Sequence, residues 1–131
     1  MKIYIDIDGV LLGRGWKPAL HVTEFLKAAT DKHDCYWLTT HCKDGNPMQA
    51  MTYLGQVLSP EAMECCRKIK PITWSFKKTD AIDIKADFLW FDDAPFDFEK
   101  EFLSKQGKLD SLVVVDLISN KDHLRELAKL L

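Results

Sequence analysis

Met1-Lys2-Ile3-Tyr4-Ile5-Asp6-Ile7-Asp8-Gly9-Val10 opens the chain and carries the plan of the fold. Ile3, Tyr4, Ile5 and Ile7 are β-formers in a near-continuous apolar run, the pattern of a strand buried on both faces. Asp6 breaks that run at its end, and Asp8 and Gly9 follow at once. A carboxylate that ends a buried strand is costly to desolvate unless a partner such as a metal ion shares it. Open α/β sheets hold their ligands in the crevice outside the carboxyl ends of the strands. The stretch therefore predicts a parallel sheet and, at its end, a place for chemistry.

Outward from that stretch, strand and helix patterns alternate. Gly13, Gly15 and Pro18 mark a loop or tight hairpin. Leu20, Phe25, Leu26 and Ala29 recur at helical spacing and predict a helix over residues 18–32. Residues 34–40 read as a second strand leading into Thr39-Thr40-His41, followed by a turn at 44–47 and a helix over 48–57. Ser59 as N-cap and Pro60 at the first helical position open another helix, running to about residue 69. Residues 71–74 read as a short edge strand because of Pro71. A short helix is expected to open within 77–82, and a strong strand over 87–92 ends in Asp92-Asp93. A helix over 96–105 and a buried strand over 112–115 come next. Ser119-Asn120 then cap a final helix with Leu124, Leu127, Ala128 and Leu131 inward. Trp37 and Trp90 lie within strands and are expected in the core. The alternation predicts βαβ units and one layered α/β domain over residues 1–131.

Composition narrows the function classes. The 131 residues suit one domain, 47% are apolar, and 18 basic against 20 acidic side chains leave a net charge of -2. That balance argues against strong general affinity for nucleic acid or anionic membrane. No apolar run approaches the ~20 residues that span a bilayer. The first residues read as strand rather than as a signal peptide, so a cytoplasmic protein is expected. Cys35, Cys42, Cys65 and Cys66 form no Cys-x-x-Cys pair and read as reduced, mostly buried thiols. His33-x-Cys35 and His41-Cys42 match no usual zinc spacing.

The strand ends present Asp6 and Asp8, then Thr39, then Asp92 and Asp93, with Lys78 between the last two groups. Carboxylates gathered in one cleft do not all ionise comfortably without a cation. Oxygen-only ligands select a hard ion, and magnesium uses a few carboxylates together with substrate phosphate. A lysine and a hydroxyl beside such a site are what a phosphoryl oxygen needs. The residues point to magnesium-dependent phosphoryl transfer.

The ordered set Asp6-Ile7-Asp8-Gly9, Thr39, Lys78 and Asp92-Asp93, spanning residues 6–93, resembles the motifs of the haloacid dehalogenase (HAD) superfamily. The resemblance implies a Rossmann-like parallel sheet of five strands in the order 5-4-1-2-3, with helices on both faces. It implies Asp6 as the nucleophile that forms an aspartyl-phosphate, and Asp8 as general acid and then general base. Mg2+ would be held by the Asp6 carboxylate, the Asp8 backbone carbonyl and Asp92, with Asp93 ligating through water or orienting the site. Thr39 and Lys78 would bind the phosphoryl oxygens; Thr40 and Lys77 are the neighbouring alternatives. Asp93 is also readable as a turn residue before Ala94-Pro95. An acid at position 8 favours a phosphatase over the dehalogenase branch, which lacks it.

Two other readings of the acids fail. An EF-hand loop needs a further ligand before its glycine and a helix in front. A response-regulator receiver has its acidic pair first, whereas here it comes last. Arg14, Trp16 and Lys17 lie where the family places a flap beside the active site, as substrate contacts or as plain loop. His41, just past Thr39, is within reach of the cleft but reads first as a surface histidine. The gaps between motifs hold a loop and core elements, so no large cap is expected. An open site suits a phosphorylated small molecule or the end of a macromolecule. The alternative is a HAD-like binding or regulatory module with little catalysis.

Overall fold

β1 (Lys2–Ile5) forms from the apolar opening run. In the computed structural model, which describes residues 1–131, three further strands run parallel to its sheet: β2 (Asp34–Trp37), β3 (Phe88–Asp92) and β4 (Leu112–Val114). The sheet order is β2-β1-β3-β4. Ile5 sits opposite both Trp37 and Phe91, so the three neighbouring strands end at one level. Asp6 extends the ladder by one bond, its N–H donating to Phe91 O at 3.0 Å. This common rim carries the acids.

Both faces of the sheet are covered, as the unbroken apolar run of β1 requires. Ile3 and Ile5 point into the larger core, with Cys35, Trp37 and Phe91 from the neighbouring strands. That core is closed by α1 (Val22–Lys32), α3 (Pro60–Cys66) and α5 (His123–Ala128) through Phe25, Leu26, Cys66, Leu124 and others. Tyr4, Phe88 and Trp90 point the other way, into a smaller core closed by Leu103 of α4 (Asp97–Lys105). Ala50 and Leu54 of α2 (Met48–Gly55) belong to the larger core, so α2 and α3 are not a separate cap. Trp37 and Trp90 are fully buried, and neither indole N–H meets a protein acceptor. All four cysteines are buried free thiols. No helix is long and apolar enough to cross a membrane.

Three boundary expectations are corrected. The expected fifth strand over 71–74 does not form, so the order 5-4-1-2-3 lacks its last member, and the four strands present stand as 5-4-1-2. Lys70 exchanges two backbone bonds of 2.9 Å with the edge of β2, donating to Cys35 O and accepting from Trp37 N. The next residue placed to donate to that edge is Ile72, which makes no such bond, and the ladder stops. Isolated bridges at Tyr36–Lys70 and Asp44–Thr73 are what remain.

The first helix begins at Val22 rather than at residue 18. Pro18 bridges Leu12 and the Ala19 N–H donates to Leu11 O, so this segment is used to close the loop. His21 then takes a left-handed conformation (φ 65°), which breaks helical continuity and leaves Leu20 exposed.

The last helix starts at His123, not after Ser119-Asn120. The Asp116 carboxylate captures the Ile118 and Ser119 N–H groups first, and Asn120 Oδ1 accepts from Asp122 N. Short polar side chains close turns in this way at the expense of a longer helix.

Candidate active site

Asp6 lies one residue past β1, with 8% of its surface exposed. Its Oδ1 accepts the Ile7 N–H at 2.8 Å, and its Oδ2 lies 3.1 Å from Lys78 Nζ. Asp92 closes β3 one strand away. Its Oδ1 accepts the Ala94 N–H at 2.9 Å, and its Oδ2 accepts from Lys78 Nζ at 2.6 Å. Lys78 thus bridges the two buried acids from a 3-10 turn (Lys78–Ala81). Lys77 is exposed and makes no such contact, so the geometry selects Lys78 of the two.

The turn is itself held in place. Glu99 in α4 is 2% exposed, and its two oxygens accept the backbone N–H groups of Lys78 and Phe96, each at 3.0 Å. A buried carboxylate stapling the lysine turn to the start of α4 was invisible in sequence. The one signal is its place three residues past Phe96, the N-cap of α4, where a glutamate reaches back to backbone.

Crowding of charge perturbs the acids. Burial pushes the Asp6 carboxyl up, to about 6; Lys78 opposes the rise and Asp92 adds to it. Asp93 is also raised, by burial and then by the Asp92 charge. Burial alone lowers the Lys78 ammonium, but Asp6 and Asp92 outweigh it and hold the group above its usual value. Carboxylate oxygens of Asp6, Asp92 and Asp93 lie within 4.8 Å of one another. Three oxygen donors converging against one ammonium are a donor set suited to a hard divalent cation. Asp93 stands in the bend before Ala94-Pro95, and the side chain that ties this bend is that of Asp92, which accepts the Ala94 N–H.

Asp8 is placed differently from the other acids. The chain coils tightly after Asp6, with Ile7 O accepting from the N–H groups of Val10, Leu11 and Leu12. The Asp8 side chain turns toward α2. Tyr53 donates to its Oδ1 at 3.0 Å, and His41 Nε2 lies 2.9 Å from its Oδ2. The two rings stack on each other, 4.3 Å apart and inclined by 22°. Desolvation and the Asp8 contact push the Tyr53 hydroxyl up to about 12, so it stays a donor. His41 is therefore no plain surface residue, which corrects the expectation. Tyr53, 45 residues from Asp8 in the chain, left no signal that a sequence pattern detects.

Thr39 is fully buried and its hydroxyl accepts the His41 N–H at 3.3 Å, while Thr40 is exposed. No hydrogen bond joins Thr39 to the acids; its link to the site runs through His41. Arg14 and Lys17 line a cavity that also touches Gly9 and Asp93, whereas Trp16 is exposed outside that lining.

Gly9 is the backbone element on which this packing depends. It sits at φ 79°, and a Cβ built on it falls 2.1 Å from Asp93 Oδ2. Gly9→Ala is expected to destabilise by about 2 kcal/mol or more from the left-handed strain and the displaced carboxylate. It should also weaken any Mg2+-induced rise in melting temperature. Thermal melts in chelator and in Mg2+ read both effects, and a wild-type Mg2+ response in the variant counts against Asp93 as part of the cation site.

Chemically, the arrangement offers a buried carboxylate at a strand end, an ammonium beside it, a cation-suited acid cluster and a second, separately held acid two residues on. Comparison with family models, curated proteins and solved structures returns no match for this chain.

Proposed function

We propose that the chain is a Mg2+-dependent phosphatase of the HAD type, working through an aspartyl-phosphate on Asp6. The observation that carries the reading is the Lys78 bridge between Asp6 and Asp92 beside Asp93, at the carboxyl ends of two adjacent parallel strands. Three motif elements separated in sequence, Asp6, Lys78 and Asp92-Asp93, converge there, and the coil and small hairpin after Asp6 stand where the family carries its flap.

In this mechanism Lys78 orients the phosphoryl group over Asp6. An Asp6 oxygen attacks phosphorus, the bond to the leaving oxygen breaks, and Asp8 donates a proton to that oxygen. Asp8 then takes a proton from water, which attacks the phosphorus of the aspartyl-phosphate, releases phosphate and restores Asp6. Bound Mg2+, held by Asp6, Asp92 and Asp93 with the Asp8 carbonyl, would neutralise charge on the transferring group. Thr39, fully buried, fixes the His41 backbone, and its phosphate-contacting role is carried over from the family resemblance alone.

The test is hydrolysis of a phosphomonoester panel with and without Mg2+. Turnover that requires the ion supports the reading; no turnover of any member with Mg2+ present overturns it. A binding or regulatory module with little catalysis is the second reading. One observation favours it: both Asp8 oxygens are already engaged, by Tyr53 and His41.

That clamp separates the two readings. If it aims Asp8 for proton transfer, Tyr53→Phe and His41→Asn should each lower kcat about tenfold, the worth of one hydrogen bond. KM should stay within about twofold, because neither side chain contacts the phosphoryl group. The pH profile of kcat should change shape as well, which a purely structural role would leave alone. Unchanged kcat and profile in both variants would remove the clamp from the mechanism.

A further inference from the structure

A cavity of about 790 Å³ opens from the candidate active site at Gly9 and Asp93 and runs between the loop after β1 and the segment after β4. It is far larger than a phosphoryl group needs. Its walls are partly apolar, with Leu20, Leu117 and Ile118, and three cations line it: Arg14, Lys17 and Lys121. None of the three is in an ion pair. The two acids in the lining are committed elsewhere. Asp93 belongs to the cation cluster, and Asp116 accepts the N–H groups of Ile118 and Ser119.

Unpaired cations around an apolar-walled cavity attract an organic anion, since the apolar surface takes the body and the cations take the charge. The cavity begins at Asp93 of the acid cluster and at Gly9, the residue after Asp8, so a molecule whose phosphate sits at the cluster would extend its organic body into it.

We propose that this cavity is the leaving-group subsite and that it selects phosphomonoesters whose organic body bears a second anionic group, a phosphate or a carboxylate. The proposal rests on the phosphatase reading for the orientation of the substrate. Arg14 and Lys17 come from the loop after β1 and Lys121 from the segment before α5, so the second anion is held by two segments distant in sequence. Trp16, outside the lining, takes no part.

The test compares three probes with one aryl body: phenyl phosphate, 4-carboxyphenyl phosphate and 1,4-phenylene bisphosphate. On the intact wild-type protein with Mg2+, kcat/KM should be at least tenfold higher for one or both probes with a second anionic group than for phenyl phosphate. The carboxylate and phosphate arms identify which anion is preferred. In the combined Arg14→Gln, Lys17→Gln, Lys121→Gln variant the preference ratio should fall to about twofold or less. Calorimetric affinities for the same probes are measured in parallel on Asp6→Asn protein. An affinity preference there with no turnover in the wild type keeps the subsite and overturns the phosphatase. Turnover with equal kcat/KM for all three probes, or a preference that survives the triple substitution, overturns the subsite alone. No measurable binding of any probe overturns it as well.

Discussion

Asp6→Asn is expected to abolish phosphatase turnover and, in chelator above pH 6, to raise the melting temperature above that of the wild type. The loss of turnover should be roughly a thousandfold or more, because an amide is no nucleophile toward phosphorus and the covalent step disappears. The stability gain follows from the buried charge. The Asp6 carboxyl titrates near 6 in the folded chain, against an ordinary 3.8, chiefly because burial penalises its ionised form. Between those two values the folded chain holds a proton that the unfolded chain has released. Stability from this group is therefore full below about 3.8 and is lost as pH rises through about 6. The whole displacement corresponds to on the order of 3 kcal/mol. Asparagine is uncharged, keeps an oxygen for the Ile7 N–H and escapes that loss. Melting curves from pH 4 to 8 should therefore fall more steeply for the wild type than for Asp6→Asn, and parallel curves would refute the desolvation account. Mg2+ should stabilise the wild type and do much less for the variant, since one of the converging carboxylates is gone.

Lys78→Met should strongly destabilise the metal-free fold. Lys78 Nζ lies 3.1 Å from Asp6 Oδ2 and 2.6 Å from Asp92 Oδ2, and both acids are buried. Removing one partner of a buried ion pair leaves its counterpart uncompensated, which costs about 3–5 kcal/mol. Here two carboxylates are left facing each other. Mg2+ should recover a large part of the loss, because the same oxygens are the proposed cation donors; an ion at a hundredfold its Kd supplies about 2.7 kcal/mol. Activity should remain low even then, since no ammonium is left to orient the phosphoryl group. Lys77→Met is the control: Lys77 is exposed and outside the ion-pair network, so its effect should stay within ~0.5 kcal/mol. Equal melting temperatures for the two variants in chelator would show that the Lys78 bridge contributes nothing.

Much of the sheet was legible because its strands are buried on both faces, which leaves near-continuous apolar runs such as Ile3-Tyr4-Ile5 and Phe88-Leu89-Trp90-Phe91. Where a boundary slipped, a competing hydrogen bond outweighed the local pattern. The Asp116 side chain took the N–H groups at Ile118 and Ser119. The left-handed turn at His21 likewise cut short a helix whose spacing ran further toward the amino terminus.

The sequence by itself determined which groups carry the candidate chemistry. A carboxylate that ends a buried strand stands out against apolar neighbours, and Asp6 and Asp92 do so in the one-dimensional pattern. Only the tertiary structure decided how those groups are partnered. It chose Lys78 over Lys77, assigned His41 and Tyr53 to Asp8, buried Glu99 behind the lysine turn, and brought Lys121 to the same cavity as Arg14 and Lys17. The reason is physical. Burial of an apolar strand is a local periodicity that composition reveals. A hydrogen bond between side chains 33 or 45 residues apart depends on the crossing of packed elements, which no local pattern encodes.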